Sequence, residues 1–343
     1  MSVRVISVRR VPAAPTPRPR RTVGAIAWGY AGLVVVYAFA IWTLGDRWWP
    51  FTLLLYGPRW LLSLPLPPLV LWALLRDRRA LRQLALATVV LLVPVLGLRL
   101  GVRRFFDGGG QPRFRVVTAN LEGGRPSMPD ALRDLHPDLL LLQECGRELP
   151  PALVAEFPGW YFDTDAYSCF LSRWPVEDRA KVDPGAFWAR GGSMVADRYR
   201  IRAPFATFSV TNLHLATPRG GLQDAVRLRF WLAGPAIAEN TDLRDDESHM
   251  GRSTFDRAGG PALAGGDFNM PVESAIYRRY WGDLTNAFSA AGMGFGSTKF
   301  TRLLRIRIDH VLATSEWHID RAEVGPDIGS DHRPMVVDLH LRR

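Results

Sequence analysis

Residues 262–271 read ALAGGDFNMP, a run of small apolar residues that ends abruptly in an acid, an aromatic ring and an amide. Such a run suits a strand covered on both faces, and the polar residues mark where the chain leaves the core. The same ending recurs elsewhere. RVVTAN (115–120) closes on Asn120 with Glu122 just beyond, and DLLLLQE (138–144) closes on Glu144. Asn212 and His214 interrupt FSVTNLHLAT, Asp309 and His310 sit in RIRIDHVL, and Asp331 and His332 sit in IGSDHRP. Polar side chains at the ends of buried strands converge on one crevice in α/β sheets.

Further strands are expected at 168–172, 192–201, 205–215, 308–313 and 335–339, with helices at 129–135, 221–238 and 273–280. The stretch 240–260 (NTDLRDDESHMGRSTFDRAGG) is polar without a clear period and reads as a mobile surface loop. Together these make one α/β domain over 114–343, large enough for its own core.

The chain has 343 residues and a formal net charge of +10, but the charge is unevenly placed. Up to Arg104 the net is +13, and the remainder carries −3. Bulk charge therefore does not support a basic nucleic-acid-binding face on the α/β domain. Only Lys181 and Lys299 are lysines. The two cysteines, Cys145 and Cys169, make no disulfide framework and read as small buried thiols, although one pair is open to a chain outside the cytoplasm.

The positive third is also the apolar third. Residues 1–22 hold six Arg among prolines and read as a disordered basic tail. Gly24 to Leu44 then runs without a charge, and apolar stretches follow at 51–75 and about 81–98. A helix of about 20 apolar residues matches the hydrocarbon core of a bilayer, so three transmembrane helices are expected over 23–101. Arg-rich segments before the first span and after the second place the amino end in the cytoplasm and the α/β domain outside. A Gly-rich linker is expected over 102–113. The chain thus reads as a multi-pass protein of the cell membrane, with no obligate protein partner implied.

Carboxylates and amides without a Cys or His cluster favour a hard divalent cation, Mg²⁺ or Mn²⁺. An imidazole beside a carboxylate has its charged form stabilised. Cation, imidazole and an acid able to direct water together describe phosphoester hydrolysis. The glycines at 292, 294 and 296 lack the Lys and Ser/Thr of a phosphate-binding P-loop.

Six ordered motifs, TANLEG, LLLLQE, TNLHL, GDFNMP, RIDHVL and GSDHRP, resemble those of the endonuclease/exonuclease/phosphatase (DNase I-like) superfamily. The resemblance implies a four-layer sandwich of two mixed β-sheets flanked by helices. It implies that Glu144 binds metal with Asn120, Glu122 and Asp331 nearby. Asp267 would direct the attacking water, Asn269 would hold the phosphate, and His332 would bind it with Asp309 as carboxylate partner. His214 would stand near the leaving group, as in members of the DNase I and sphingomyelinase type. Asn212, Thr298 and Arg190 are expected as substrate contacts. The expected reaction is hydrolysis of a phosphoester, a diester before a monoester, on lipid headgroups beside the bilayer. A surface nuclease acting on DNA or RNA and an inactive membrane scaffold are the alternatives.

Overall fold

The computed structural model describes residues 19–102, 113–165, 167–302 and 304–342. The expected tail up to residue 18, and residues 103–112 of the expected linker, lie outside the described residues. Helix α1 (Pro19–Thr43) already includes the last residues assigned to the tail.

The α/β domain holds two six-stranded sheets. One contains β1 (Phe114–Asn120), β2 (Leu139–Gln143), β3 (Tyr161–Thr164) and β4 (Ser168–Ser172). The other contains β5 (Val176–Lys181), β6 (Val195–Ala203), β7 (Ala206–His214), β8 (Ala262–Asp267), β9 (Thr285–Asn286) and β10 (Asp309–Ala313). The chain then returns to the first sheet with β11 (Trp317–Val324) and β12 (Met335–Leu341). The strand orders are β11-β12-β1-β2-β4-β3 and β9-β10-β8-β7-β6-β5. Both sheets are mixed, because β1–β2 and β7–β8 pair in parallel while their other neighbours are antiparallel.

Alternation along the strands supplies two apolar faces to each sheet. Val116, Leu139 and Leu141 meet Val210, Leu263 and Val311 between the sheets. Val117, Leu140 and Leu142 face outward onto α5 (Met128–Arg133) and α6 (Leu149–Glu156). Beyond α7 (Arg219–Val226), the helices α8 (Phe230–Asp256) and α9 (Ala275–Trp281) cover the far face of the second sheet through Phe255, Ile276 and Trp281. Four layers result, helix, sheet, sheet and helix. The segment read as a loop over 240–260 instead forms most of α8, whose buried side includes the polar residues Arg244, Glu247 and Ser248. The structure also joins Cys145 to Cys169, whose Cα atoms lie 6.2 Å apart, in place of two separate thiols.

Before the domain, α1 is followed by α2 (Trp49–Tyr56), α3 (Leu66–Arg76) and α4 (Leu81–Val90). Val23, Ala27, Tyr30, Ala31, Val34 and Ala38 form one stripe of α1 that packs on α3 and α4. The opposite face is apolar too, with Val36 and Phe39 each 65% exposed. Among the described residues, Thr22–Thr43 is the one unbroken helix long and apolar enough to cross a membrane. The expectation of three spans is corrected. Gly57 and Pro58 bend the second apolar stretch by 73°. The third ends in a π turn (Leu91–Val95) around Pro94, which leaves it too short to match the hydrocarbon core.

Candidate active site

Strand register brings the site together. His214 at the end of β7 and Asp309 at the start of β10 both stand opposite Asp267, the last residue of β8. In the facing sheet Asn120 ends β1 beside Gln143, which ends β2 and precedes Glu144. The approach is so close that a Cβ at Gly265 would lie 2.5 Å from the Leu141 side chain, and one at Gly266 (φ +149°) would lie 1.8 Å from the Leu213 carbonyl oxygen. The paired glycines before Asp267 are a steric requirement of that convergence.

Asp267 is buried and fully engaged. Its Oδ1 accepts from the Asn269 backbone N–H at 2.8 Å, and its Oδ2 accepts from Asn120 Nδ2 at 3.1 Å. Asn120 Nδ2 also donates to Glu144 Oε1 at 2.8 Å, so one amide holds both carboxylates. The other end of that amide, Oδ1, accepts from the Glu122 backbone N–H. Opposite Asp267, His332 Nδ1 lies 2.9 Å and 3.1 Å from the two Asp309 oxygens, and its Nε2 lies 3.7 Å from Asp267 Oδ2. His214 Nε2 stands 3.6 Å from Glu144 and 3.9 Å from Asp267.

Electrostatics divide these groups. Burial alone would neutralise His332, but the charges of Asp309 and Asp267 outweigh it and push the imidazole up to about 9. Asp309 is buried too, yet the neighbouring His332 holds its carboxyl below the usual range. Burial, and then the charge of Asp309, raise Asp267. An ionised dyad therefore faces a carboxyl made more basic. His310, one residue from Asp309, is different: burial and then Arg307 push it down to about 3, and it spans Met270 O and Asn286 within the core.

Backbone strain marks the same place. Among the described non-glycine residues, five have positive φ, and Glu122, Glu144 and Asn269 are three of them. Such conformations cost energy and persist where surrounding contacts impose them.

Several expected contacts are placed elsewhere. Asn212 is fully buried between the sheets, where it accepts from Gln143 Nε2 at 2.7 Å and donates to Leu142 O. Thr298 is also buried, and its hydroxyl oxygen accepts from the backbone N–H groups of Ile308 and Asp309, which positions Asp309. Arg190 is exposed and bonded to Asp246 at 2.7 Å. Asn212 and Thr298 thus spend these polar atoms within the protein, while Arg190 stands at the surface beside Asp246.

Other groups enter the site without having been expected. Lys299 bonds to Asp331, and its backbone bridges to His332. Ser330 donates to Asn120 O and accepts from the His332 N–H, which fixes the turn carrying the imidazole. Tyr56, from α2, donates to the carbonyl of Asn269 at 2.9 Å. Lys299 had a signal, being one of only two lysines. Tyr56 had none, since 213 residues separate it from its partner. Beside these groups lies a cleft of about 480 Å³ whose lining includes Asn269, Lys299 and Asp331 from the site, together with Tyr56, Arg219 and Leu222.

The donor chemistry fits a hard cation. Asp267, Asp309 and His332 offer ligand atoms within 4.8 Å of one another, but the bonds of the dyad already account for that closeness. The oxygens left for an ion are Glu144 Oε2, on a side chain 43% exposed whose Oε1 is held by Asn120, and Asp331 Oδ1, which is buried without a hydrogen-bond partner. Unpaired carboxylate oxygens suit Mg²⁺ or Mn²⁺ better than a thiophilic metal.

Comparison with known proteins agrees with this geometry. The profile of the Endonuclease/Exonuclease/phosphatase family matches residues 117–332. No curated protein matches the chain. Among solved structures, humanised D. rerio TDP2 is 12% identical and superposes with a TM-score of 0.51 over 66% of this chain and 99% of that one. A family protein from Bacteroides thetaiotaomicron (15% identity, TM-score 0.49) covers 67% of this chain and 98% of its own. The mannosyl-6-phosphatase Bt3783 of the same organism gives 15% identity and a TM-score of 0.49, over 66% of this chain and 100% of its own. With a family profile matched over well more than half its length and the strand-end carboxylates gathered at one cleft, the chain belongs to the endonuclease/exonuclease/phosphatase family and is a phosphoester hydrolase.

Proposed function

We propose that the protein is a membrane-anchored phosphodiesterase that needs Mg²⁺ or Mn²⁺ and acts outside the cytoplasm on phosphoesters presented at the bilayer. The observation that carries this reading is the charged His332–Asp309 dyad facing Asp267 across 3.7 Å. The imidazolium holds the phosphate, and Asp309 keeps it charged and oriented. Asp267, raised by burial, orients the attacking water and takes its proton. Asn120 fixes Asp267 and Glu144 relative to each other, and His214 stands where a leaving group would pass. Glu144 and Asp331, with Glu122 and Asn120 beside them, would hold the cation, which supplies charge neutralisation at the phosphate.

The diester preference rests on the motif resemblance: once a divalent cation joins His332 and Lys299, the charges of Glu144, Asp267, Asp309 and Asp331 are balanced and do not choose between ester types. The bilayer setting rests on α1 and on where the domain sits. Asp46, just past α1, accepts from Ser274 Oγ and the Ala275 N–H, and Trp42 lies under the guanidinium of Arg278. The catalytic domain is thus held at the end of α1 opposite its basic amino terminus, which the positive-inside rule keeps in the cytoplasm.

The test is hydrolysis by the purified full-length protein in detergent, with Mg²⁺ or Mn²⁺ and an EDTA control. Bis(p-nitrophenyl) phosphate, p-nitrophenyl phosphate, phospholipid vesicles and plasmid DNA are compared. Metal-dependent turnover of the diester and of phospholipid is expected. Plasmid nicking without phospholipid cleavage would make it a surface nuclease, and silence on every substrate would leave a scaffold.

A further inference from the structure

A second cavity, of about 520 Å³, lies where the amino-terminal helices meet the catalytic domain. It is separate from the proposed catalytic groups but adjoins the cleft, sharing Tyr56, Thr301, Leu304 and Ile306 with it. One wall is apolar, formed by Trp60, Val95, Leu96, Val272 and Phe295. The same cavity is lined by Arg59, Arg302, Arg305 and Arg307, with Glu273 as the acid among them.

Arg307 is the unusual member. It is only 7% exposed, and its Nε and Nη1 have no hydrogen-bond partner. Its remaining contacts are Nη2 to Ser289 Oγ at 3.3 Å and the ring of Phe288, 4.7 Å from the guanidinium carbon. A buried charged group with idle donors is costly unless something fills them. Nearby Arg59 shows the contrast, because its donors are spent on Leu55 O, Val95 O and Glu273. A buried guanidinium with two unpaired donors, lining a cavity that also has apolar residues, matches a ligand with a phosphate at one end and a hydrocarbon chain at the other. The surroundings continue the same surface, since Leu61, Leu64, Leu100, Met293 and Phe295 are all exposed and apolar.

We propose that this junction cavity binds one amphiphile with a net-anionic phosphate headgroup, with the phosphate on Arg307 and the chain along the apolar wall toward the bilayer. The inference rests on the reading of α1 as a membrane anchor, and it is independent of whether the catalytic site hydrolyses anything. An occupant would brace Thr301, Leu304 and Ile306, which line both cavities.

The experiment uses full-length protein in neutral detergent or phosphatidylcholine nanodiscs and reads binding, not turnover. Native mass spectrometry and thermal unfolding are recorded with phosphatidylglycerol, with phosphatidylcholine alone and with inorganic phosphate. One phosphatidylglycerol retained per chain and a raised melting temperature are expected, with a weaker effect from inorganic phosphate, which lacks the chain. Arg307→Gln should weaken lipid retention about tenfold or more, as loss of a charge-assisted contact does, while Arg302→Gln at the exposed rim should change it little. Equal retention of phosphatidylcholine, full shift by inorganic phosphate alone, or unchanged retention in Arg307→Gln would overturn the proposal. Should Arg307→Gln fail to fold, the three ligand arms on the unaltered protein decide it. Failure of α1 to anchor appears separately, as protein released from membranes by alkaline carbonate.

Discussion

His332 keeps its proton because two acids surround it, and that fact sets the first expectations. Asp267→Asn removes the carboxylate proposed to direct water and should lower turnover by about 10²–10⁴-fold, with the unfolding midpoint near that of the unaltered protein. His332→Ala should lower it comparably, read in the same assay with circular dichroism as the fold control. The pH dependence has a definite sign. The folded pKa of His332 is raised from 6.5 to about 9, so the dyad's stabilisation is complete below the lower value and is lost as pH rises through the upper one. Melting temperature should fall between about pH 6.5 and 9 in the unaltered protein, and Asp309→Asn should flatten that fall. At this scale the sequence was informative where a polar residue ends a buried strand, as at Glu144, Asp267 and Asp309. It is silent on the partners of Asn212 and Thr298, because Gln143 and the backbone of Ile308–Asp309 arrive from segments whose placement no local pattern reveals.

Among the elements, α8 departs most from expectation. Its buried face is built from Arg244, Glu247, Ser248 and Gly251 as well as Leu243 and Phe255, so a search for apolar periodicity finds no helix there. Two of the charged groups on that face, Arg244 and Glu247, have tertiary partners. Arg244 forms an ion pair at 3.2 Å with Asp46, both side chains fully buried, and also donates to Tyr56 Oη. Arg244→Met should destabilise the protein by about 3–5 kcal/mol, the cost of stranding a buried charge, measured by denaturant unfolding. Adding Asp46→Leu should recover part of that loss. Glu247 accepts from the backbone N–H groups of Ser193 and Ala216, tying α8 to the loop before β6 and the end of β7. Burial, opposed by those hydrogen bonds, raises its carboxyl from 4.5 to about 7. A raised acid costs stability as it ionises, so the cost is absent below 4.5 and complete above about 7. Glu247→Gln should therefore remove part of the decline in melting temperature across that window.

Over the whole molecule, the amino-terminal helices are docked on the catalytic domain by specific polar bonds. Asp46 to Ser274 and Ala275, Arg59 to Glu273, and Tyr56 to Asn269 span the junction. A reporter fused after Arg343 should signal outside the cytoplasm, and a cytoplasmic signal would reverse the proposed topology. Tyr56→Phe should leave the fold intact while loosening Asn269, and a rise in KM larger than the fall in kcat is expected for a diester substrate.

Composition and order alone determined the α/β class, the four-layer sandwich implied by the motifs, the positive apolar first third and the chemical character of the site. Those depend on residue type and short-range pattern, which burial and backbone geometry translate directly into strands and their ends. Tertiary structure decided which polar side chains work inward and which face the cleft, that 240–260 is helical, that Cys145 meets Cys169, and that Gly57-Pro58 and Pro94 interrupt the expected spans. It alone joined Tyr56 to Asn269 and left two donors of Arg307 unpaired. The physical reason is that a hydrogen bond or ion pair is settled by both partners, and here the second partner lies tens to hundreds of residues away.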